Sequence, residues 1–349
     1  MSSNLLPYDQ LASWFTGKRV LVTGATGFVG NAVAKWLNTE GQARVWTIVR
    51  DIDPVAPYNR ELYVRYIEGC ITGDITDEKV VERAIAESEP EVVFHLAAVS
   101  QVRHARISPK ENYRTNVMGT VNLLESLRLL APAAAVVVAS SDKAYGKPTE
   151  KVISNKSNLN PVHPYDTAKA TADMIARSYA LYYNQQIIIT RCGNIYGPGD
   201  VNWQRLIPGV LRELIYYRRP VIRSDGKHVR DYNYIDDIVL AYLYCAVGIS
   251  QPWILGPVEI PNGSSWLIAS ELGSFSVLNV VDACRAVIPW GHEYPPIIKN
   301  EAQDETKVLR LDGSKFRETF GMQKSVRLLD GIEATAEWMM DYLLGGLNG

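Results

Sequence analysis

Cysteine is scarce in this chain. Only four cysteines occur among 349 residues, and no two of them form a Cys-x-x-Cys pair: Cys70, Cys192, Cys245 and Cys284. Widely spaced cysteines are typical of reduced thiols in a cytoplasmic protein, and they lack the ligand spacing of a zinc site. We therefore predict a cytoplasmic protein without a bound metal.

Long apolar runs and an excess of charge of one sign are also missing. No run approaches the roughly 20 apolar residues of a membrane span, and residues 1–7 lack the basic region and apolar core of a signal peptide. The 36 basic and 38 acidic side chains leave a formal net charge of -2, which creates no field to attract nucleic acid or an anionic membrane. We expect neither as a partner.

Short apolar runs typical of buried strands alternate with helical patterns in the N-terminal part of the chain. The runs predict strands at 20–23, 45–49, 69–71, 91–97, 133–139 and 186–191. The helical patterns cover 31–38, 77–88, 116–130 and 167–183. This alternation implies parallel pairing through right-handed crossovers. We predict an α/β protein whose residues 17–192 form a Rossmann-type, doubly wound parallel sheet that binds a dinucleotide.

The composition changes after Gly193, where proline and glycine become frequent. Helical patterns at 203–217, 235–247, 277–287 and 331–344 are separated by short extended pieces. We predict a smaller α+β lobe over residues 193–344 that binds the substrate, with some of its segments returning to the main sheet.

A glycine-rich turn, Gly24-Ala-Thr-Gly27-Phe-Val-Gly30, lies between the first predicted strand and the first predicted helix. Glycines let the backbone turn tightly and approach a pyrophosphate at the helix N-terminus, where free N–H groups and the helix dipole favour anions. We predict a dinucleotide cofactor here, and a glycine turn without a ligand is the alternative. The residues expected to hold the cofactor are Gly24, Thr26, Gly27, Phe28, Val29 and Gly30.

Two charged positions bear on which nicotinamide cofactor is bound. The second predicted strand ends in Arg50 and Asp51. An arginine there accommodates a 2′-phosphate and favours NADP, whereas a carboxylate binds the ribose hydroxyls and keeps NAD open. We lean to NADP, with a solvated arginine as the alternative. Asp74 could accept a hydrogen bond from the adenine amine or could cap the next helix, a task that Thr76 or Asp77 could equally perform.

Residues 140–146 read Ser-Ser-Asp-Lys-Ala-Tyr-Gly and follow a predicted buried strand. They place a hydroxyl, a carboxylate and an amine at the strand's C-terminal end, where ligands bind in open α/β sheets. Taken alone, this run could equally be a polar strand exit. Its chemical meaning depends on what lies beside it.

Tyr165 and Lys169 lie one helical turn apart and share a face of the helix. A lysine ammonium beside a phenol stabilises the phenolate and would lower the pKa of Tyr165 from about 10 towards neutrality. The phenolate can then take a proton from a substrate hydroxyl, held by Ser141, while hydride leaves the same carbon. A Tyr-x-x-x-Lys pair is often structural; the glycine turn and Ser141 make it specific.

Several motifs together resemble one known family. They span residues 23–30, 95–98, 115–120, 140–146, 191–198 and 230–237, with Tyr165 and Lys169 among them. From Gly17 to about Tyr342, the chain resembles the extended short-chain dehydrogenase/reductase family of nucleotide-sugar epimerases and dehydratases. The resemblance implies a nicotinamide cofactor, a nucleotide-diphosphate sugar as substrate, and a homodimer or higher homo-oligomer.

The family's residue roles carry over by position. The catalytic roles fall on Ser141, Tyr165 and Lys169, and the last two also contact the cofactor. The further cofactor contacts implied are Asp74, Ile75, Leu96, Ala97 and Ala98. The implied substrate contacts are Asn116, Asn194, Arg205 and Arg230, with Arg230 as a partner for the diphosphate. Asn116 could instead anchor a helix kink or cap a helix.

The two residues after the catalytic Ser or Thr separate the reactions of this family. Epimerases mostly carry small or neutral side chains there, whereas 4,6-dehydratases carry Asp and a second ionisable group. Asp142 and Lys143 are thus similar to the CDP-glucose 4,6-dehydratase branch, while Arg50 looks more like the NADP-using GDP-mannose 4,6-dehydratase branch. The resemblance implies Asp142 as the acid that helps the C6 hydroxyl leave. Lys143 is then either the neutral base at C5 or an electrostatic stabiliser of the enolate.

We therefore predict a nucleotide-sugar 4,6-dehydratase that oxidises C4, eliminates water across C5 and C6, and returns the hydride to C6. An epimerase or reductase on the same scaffold is the first alternative. A catalytically silent nucleotide-binding scaffold is the second. An exposed ion pair is the competing account of Asp142 and Lys143.

Overall fold

The computed structural model describes residues 6–51, 65–148, 150–251, 260–301, 306–322 and 324–345. Its strands in chain order are β1 Arg19–Thr23, β2 Arg44–Val49, β3 Gly69–Thr72, β4 Val92–His95, β5 Ala135–Ala139, β6 Val152–Ile153, β7 Ile187–Cys192, β8 Asn194–Tyr196, β9 Val221–Ile222, β10 Val229–Tyr234, β11 Ser265–Ile268, β12 Ser274–Ser276, β13 Ile297–Ile298 and β14 Arg310–Leu311.

The described helices are α1 Tyr8–Phe15, α2 Phe28–Thr39, α3 Glu78–Ser88, α4 Val102–Ile107, α5 Pro109–Tyr113, α6 Gly119–Leu130, α7 Pro164–Tyr183, α8 Leu206–Ile215, α9 Ile235–Ser250, α10 Val277–Val287, α11 Ser314–Phe320 and α12 Leu328–Leu344. A π-helical turn, Arg114–Met118, precedes α6, and a 3₁₀ turn, Asp142–Tyr145, follows β5. Within the described ranges, no helix is long and apolar enough to cross a membrane.

Seven of the described strands form one parallel sheet in the order β3-β2-β1-β4-β5-β7-β11. Every neighbouring pair in it is parallel. The chain winds outward from β1 in both directions, which confirms the predicted α/β class and Rossmann-type sheet. Because all seven strands run the same way, their carboxyl ends meet at one edge, and ligands bind beyond that edge in such sheets.

Apolar side chains cover both faces of the sheet, which is why its strands read as continuous apolar runs. Alternate residues of β1 point to opposite faces of the sheet and pack into different hydrophobic layers. Leu21 packs with residues of α3, α6 and α7, whereas Val20 and Val22 pack with residues of α2 and α9. Both layers are closed to solvent at the centre, so the polar groups at the sheet's carboxyl edge are held on a rigid base.

A second, three-stranded sheet lies in the C-terminal part of the chain. Its central strand β10 pairs antiparallel with β12 and parallel with β8. Two short parallel pairs, β6 with β14 and β9 with β13, complete the described strands. In addition, β11 joins the edge of the large sheet beside β7. A division into domains at residues 192 and 193 stays a prediction.

Several helical regions differ from the sequence-based expectation, and α4, α5 and α11 were not predicted. Helix α1 was not predicted, although Leu11 and Phe15 are fully buried at helical spacing. The helix predicted at 167–183 begins at Pro164 because the His163 ring accepts the Tyr165 amide hydrogen and caps it. The helix predicted at 116–130 begins in the π-helical turn, which Asn116 holds in place.

Candidate active site

The glycine turn joins β1 to α2 in a conformation that other residues could not adopt. Gly24 has a φ of 75°, and a Cβ atom on it would lie 2.7 Å from the Ala97 nitrogen. A Cβ on Gly30 would overlap the carbonyl of Gly24. Gly27 precedes the first helical residue, Phe28, and no side chain caps α2. Uncapped first-turn N–H groups beside a tight glycine turn fit a dinucleotide diphosphate.

The exit of β4 is fixed against the same turn. The Thr23 hydroxyl accepts hydrogen bonds from the Leu96 and Ala97 amides, both at 3.2 Å. Thr23 also lies 2.9 Å from Nδ1 of His95, whose Nε2 is 2.9 Å from the Thr120 hydroxyl. Burial, and then the charge of Lys169, lowers the pKa of His95 to about 3, so this imidazole is neutral. Leu96 and Ala97 are thereby held beside the predicted cofactor turn.

Three charged side chains meet beyond β2 and β3. Arg50 Nε lies 2.5 Å from Asp51 Oδ2, and Arg50 Nη1 lies 3.9 Å from Asp74 Oδ2. The N-cap of α3 is Asp77, so Asp74 does not cap that helix. The other Asp74 oxygen accepts the Thr76 amide hydrogen at 2.8 Å. The next residue in the chain, Ile75, is buried. The structure thus brings together the residues predicted to contact the adenosine end of the cofactor.

The 3₁₀ turn after β5 and its N-cap, Ser141, hold three of the predicted catalytic residues. The Ser141 hydroxyl donates to Asp142 Oδ1 at 3.0 Å and accepts the Lys143 amide hydrogen at 3.2 Å. Lys143 Nζ lies 3.6 Å from Asp142 Oδ2. The Asp142 side chain is 6% exposed and that of Lys143 is 31% exposed. This burial of the carboxylate is unlike an exposed ion pair, the competing account of the two residues.

Tyr165 and Lys169 lie on the first turns of α7, and both are buried. Lys169 Nζ donates to the carbonyl oxygen of Ala139, the last residue of β5, at 2.8 Å. The strand that leads into the Ser141 turn and the helix that carries Tyr165 are therefore bonded directly. The hydroxyl of Ser140 adds a long contact of 3.5 Å to the Lys169 carbonyl.

The ionisation of Tyr165 differs from the expectation. Burial, and then the charge of Asp142, raises the pKa of Tyr165 to about 12, against smaller opposing effects of Ser141 and Arg205. Burial lowers the pKa of Lys169 to about 8, opposed by Cys192 and Asp173. The predicted lowering of the Tyr165 pKa by Lys169 is thus wrong for this structure. The ammonium is bonded to the Ala139 carbonyl, and desolvation of the phenol prevails.

Arg205, a predicted substrate contact, is held in place near the cofactor turn. Its Nη1 donates to Asp200 Oδ2 at 3.0 Å, and its guanidinium lies 5.8 Å from the centroid of the Phe28 ring. Its charge also acts on Tyr165. Arg205 is therefore near both the cofactor turn and Tyr165, where a cation could meet an anionic substrate.

Asn194 and Arg230 lie on the neighbouring strands β8 and β10. Asn194 Nδ2 donates to the carbonyl of Asp231 at 3.1 Å, and Asn194 is exposed. Arg230 Nη1 donates to the carbonyls of Val229, at 2.8 Å, and Lys307, at 3.3 Å. The structure places the two residues on one small sheet, and their contact with a substrate stays a prediction.

Asn116 is buried, and both ends of its amide are engaged. Its Oδ1 accepts the Val99 amide hydrogen at 2.7 Å, while its Nδ2 donates to the Val99 carbonyl at 3.2 Å and to Asn112 Oδ1 at 2.9 Å. These bonds hold the π-helical turn against the loop that follows β4. They favour the helix-anchoring alternative, and a direct substrate contact by Asn116 stays a prediction.

Sequence reasoning missed an acid beside the site. Asp166 directly follows Tyr165, and burial raises its pKa to about 6, opposed by Lys143 and reinforced by Asp142. Its position in the Tyr-x-x-x-Lys segment was the available signal. Within the described ranges, no group of three or more His, Cys, Asp or Glu side chains could hold a metal ion.

A buried ion pair behind the site was also missed. Arg191 Nε and Nη2 donate to the two Asp173 carboxylate oxygens at 2.8 and 2.9 Å. Arg191 Nη1 donates to the Tyr145 hydroxyl at 3.0 Å. Burial lowers the pKa of Arg191, but the hydrogen bonds and charge of Asp173 outweigh this effect, so the pKa is raised. Eighteen residues separate Arg191 from Asp173, and no spacing pattern connects such a strand and helix pair.

A Rossmann-type sheet with a glycine turn after β1, and with Ser141, Tyr165 and Lys169 at one edge, is the architecture of a nicotinamide-dependent enzyme. The family model described as the NAD dependent epimerase/dehydratase family matches residues 20–250, more than half of the chain. The chain belongs to this family, which confirms the predicted resemblance and an NAD(P)-dependent enzyme of the nucleotide-sugar dehydratase and epimerase group.

Known relatives perform two different reactions. The chain is 29% identical over 352 residues to the CDP-glucose 4,6-dehydratase of Salmonella typhimurium, covering 95% of this chain and 93% of that protein. It is 28% identical over 328 residues to the UDP-glucose 4-epimerase of Mycolicibacterium smegmatis, covering 92% and 98%. Similarity at this level supports the family and leaves the choice between the two reactions open.

Solved structures extend the likeness over nearly the whole chain. A UDP-glucose 4-epimerase of Thermotoga maritima, solved with UDP-glucose, has a TM-score of 0.81 at 24% identity and covers 93% of this chain and 99% of its own. A dTDP-glucose 4,6-dehydratase of Bacillus anthracis, solved with NAD, has a TM-score of 0.76 at 22% identity, covering 92% and 96%. These structures demonstrate the shared fold.

Proposed function

We propose that this protein is a nucleotide-sugar 4,6-dehydratase that acts on CDP-glucose or GDP-mannose. The observation that carries the proposal is the buried Asp142 carboxyl, 3.6 Å from Lys143 Nζ and hydrogen-bonded to Ser141. Hydride transfer alone requires neither of these ionisable groups, whereas elimination of water requires an acid and a base beside the reacting carbons. The Salmonella typhimurium relative, a CDP-glucose 4,6-dehydratase, supports the choice of reaction.

The protons in this reaction are assigned to residues of the chain. The pKa of Tyr165 is raised to about 12 in this structure, so the proposal requires the positive charge of a bound oxidised nicotinamide to lower it. Tyr165, then a phenolate, takes the proton of the C4 hydroxyl while Ser141 holds that oxygen. A nicotinamide bound at the glycine turn would supply the hydride chemistry that links oxidation at C4 to reduction at C6. Transfer of a proton from Lys143 to Asp142 within their ion pair gives an amine and a carboxylic acid, and Lys143 then takes the C5 proton made acidic by the C4 ketone. Asp142 gives a proton to the C6 oxygen, which leaves as water.

The residues can then be restored without a net change in protons. Lys143 returns its proton to C5, so Tyr165 is left with one proton more and Asp142 with one fewer. Ser141 donates a hydrogen bond to Asp142 at 3.0 Å and lowers the pKa of Tyr165, so we propose its hydroxyl as the path between them. A proton passing along this path restores both groups and leaves only water as a by-product.

The product distinguishes the proposal from its alternatives. Purified protein would be incubated with CDP-glucose, GDP-mannose, UDP-glucose and dTDP-glucose, and the products analysed by mass spectrometry. We expect loss of one water from CDP-glucose or GDP-mannose and a 4-keto product that absorbs near-ultraviolet light in alkali. An isomer of unchanged mass would instead identify a 4-epimerase, for which Ser141, Tyr165 and Lys169 suffice. Neither product, with no reduction of the cofactor, would indicate a silent nucleotide-binding scaffold.

We infer NAD as the cofactor, although Arg50 alone led to an expectation of NADP. Two carboxylates flank the Arg50 guanidinium, Asp51 at 2.5 Å and Asp74 at 3.9 Å. They compensate its charge and would repel a 2′-phosphate, whereas ribose hydroxyls can donate to a carboxylate.

Asp51→Ala is therefore expected to shift the cofactor preference towards NADP. Removal of the nearest carboxylate frees Arg50, so the affinity for NADP relative to NAD should rise about tenfold, equivalent to roughly 1.4 kcal/mol. Calorimetric titration with each cofactor measures the ratio, and Asp77→Ala, on the N-cap of α3, serves as an acidic control. Wild-type protein that binds NADP as tightly as NAD would contradict the inference.

We also propose that two copies of the chain associate through α6 and α7. Both helices expose large apolar side chains, including Leu129, Met174, Leu181 and Tyr182, which are 59%, 64%, 60% and 82% exposed. Two helices that contact each other and both expose large apolar side chains are typical of an interface between proteins.

Leu181→Asp should convert a wild-type dimer into a monomer at micromolar concentration, because a carboxylate in the contact would lose its water. Light scattering coupled to size-exclusion chromatography measures the mass. Leu272→Asp, a substitution of another exposed leucine outside α6 and α7, is expected to leave the dimer intact. A monomeric wild-type protein would refute the proposed association.

A further inference from the structure

The sequence motif that begins at Arg191 is not used in the proposed chemistry, although Arg191 is almost fully buried. A buried guanidinium needs a carboxylate and complete hydrogen bonding. Arg191 has both, since it bonds to each oxygen of Asp173 and to the Tyr145 hydroxyl. Its guanidinium carbon also lies 5.0 Å from the Tyr145 ring centroid. We call this group the Tyr145–Arg191–Asp173 network.

The partners of Arg191 lie on the two elements that supply the predicted catalytic residues. Tyr145 ends the 3₁₀ turn that begins at Asp142. Asp173 lies on α7, one helical turn beyond Lys169 and two beyond Tyr165, on the same side of the helix. Arg191 itself lies on β7, between them. The guanidinium N–H groups of Arg191 therefore donate from a strand of the large sheet to both the turn and the helix.

Further hydrogen bonds hold the network to the sheet. The Ser265 hydroxyl on β11 donates to Asp173 Oδ1 at 3.2 Å. At the start of the turn, the Ser140 amide donates to the carbonyl of Thr190 on β7 at 2.8 Å. Tyr145 is fully buried and Asp173 is 2% exposed, so water cannot replace these bonds. The far end of the turn is thus fixed through the Tyr145 hydroxyl.

We propose that Arg191 is a positioning residue, which fixes the turn carrying Asp142 and Lys143 relative to the helix carrying Tyr165 and Lys169. The inference rests on the proposed dehydratase activity. In that reaction, one substrate must present C4 to Tyr165 while it presents C5 and C6 to Lys143 and Asp142. The spacing between the two pairs then sets the rate of elimination, since small misplacements of reacting groups slow a reaction strongly.

Tyr145→Phe tests this role with the loss of a single hydroxyl. The ring still fills its place, but the turn is no longer bonded to Arg191. We expect elimination of water to slow about tenfold, with reduction of the cofactor within about threefold of wild type and KM within about twofold. Single-turnover absorbance at 340 nm follows cofactor reduction, and quenched-flow mass spectrometry follows loss of water. Hydrogen exchange of the segment 140–148 should accelerate.

Tyr244→Phe provides the matched control. This buried tyrosine on α9 donates its hydroxyl to the Leu6 carbonyl at 2.8 Å, away from the turn and from α7. Its loss should change neither step and should leave exchange in 140–148 unaltered. Arg191→Lys is a second variant, since a lysine keeps the charge beside Asp173 without the donor fork. It should reproduce the selective slowing of elimination if Tyr145→Phe does not fold.

Failure of the positioning role and failure of the proposed activity give different results. If the wild-type protein eliminates no water, the dehydratase activity is refuted. In that case hydrogen exchange still tests the positioning role, which is refuted if segment 140–148 exchanges equally fast in Tyr145→Phe and in the wild type. If the wild type does eliminate water, equal slowing of both steps in Tyr145→Phe, or elimination at the wild-type rate, overturns the role of Arg191. Equal slowing would indicate a general loss of structure.

Discussion

Asp142→Asn is expected to slow loss of water by roughly 10²- to 10⁴-fold, the range that a positioned acid contributes to a reaction. The amide has nearly the shape of the carboxyl group and can still accept the Ser141 hydrogen bond, which spans 3.0 Å in the structure. It cannot give a proton to the C6 oxygen. Reduction of the cofactor should stay near the wild-type rate, because Ser141, Tyr165 and Lys169 are unchanged.

The substitution therefore separates oxidation from elimination. With CDP-glucose or GDP-mannose in excess, reduced cofactor should accumulate in Asp142→Asn and be visible at 340 nm, while mass spectrometry finds little dehydrated product. Asp237→Asn is a suitable control, because Asp237 lies on α9 and accepts the Val326 amide hydrogen at 3.0 Å. It should dehydrate as the wild type does. Unchanged turnover of Asp142→Asn to an isomer of equal mass would instead support an epimerase.

The position of Asp142 could be predicted because the strands of a parallel sheet can be recognised in the sequence. Strands such as β5 are buried on both faces and so appear as continuous apolar runs. Once the sheet is known to be parallel, the glycine turn after β1 and the Ser141 turn after β5 must lie at the same edge. No side-chain detail is needed to place Ser141, Asp142 and Lys143 at that edge.

Features that depend on a distant partner could not be predicted in this way. The π-helical turn exists because Asn116 bonds to the backbone of Val99, 17 residues earlier. Helix α1 offered little more than the pair Leu11 and Phe15 as an apolar signal. In both cases the local pattern fits several structures, and a tertiary contact selects one of them.

Side-chain direction explains the error in the ionisation of Tyr165. Tyr165 and Lys169 lie one helical turn apart on the first turns of α7, as their spacing in the sequence predicts. The sequence cannot indicate that Lys169 Nζ bonds to the Ala139 carbonyl or that burial dominates the pKa of the phenol. The Arg191 pairing was hidden for the same reason, since its partners lie 18 and 46 residues away.

Asp173→Ala should reduce the free energy of unfolding by about 3–5 kcal/mol, the cost of removing one partner from a buried ion pair. The Arg191 guanidinium would stay in the interior, bonded to Tyr145 but without a carboxylate to balance its charge. Urea unfolding followed by circular dichroism measures the change in the midpoint and the slope. A loss below about 1 kcal/mol, the value expected for exposed pairs, would contradict the prediction.

An exposed pair of the same geometry supplies the control. Arg327 donates to both oxygens of Asp330 at 2.7 and 2.8 Å, and their side chains are 77% and 44% exposed. Asp330→Ala should cost no more than about 1 kcal/mol, because water screens the charge and solvates the arginine that is left. The two variants remove the same type of contact, so the difference between them measures the effect of burial.

Replacement of both partners separates stability from positioning. In a double variant, Asp173→Leu with Arg191→Leu, no buried charge is left, and apolar side chains often replace a buried pair without loss. Stability should return to within about 1–3 kcal/mol of the wild type, the cost of one buried hydroxyl without a partner. The Tyr145 hydroxyl would still lack its partner. Elimination of water should therefore stay slow in a stable protein, as expected if the network is retained for the geometry of the turn rather than for stability.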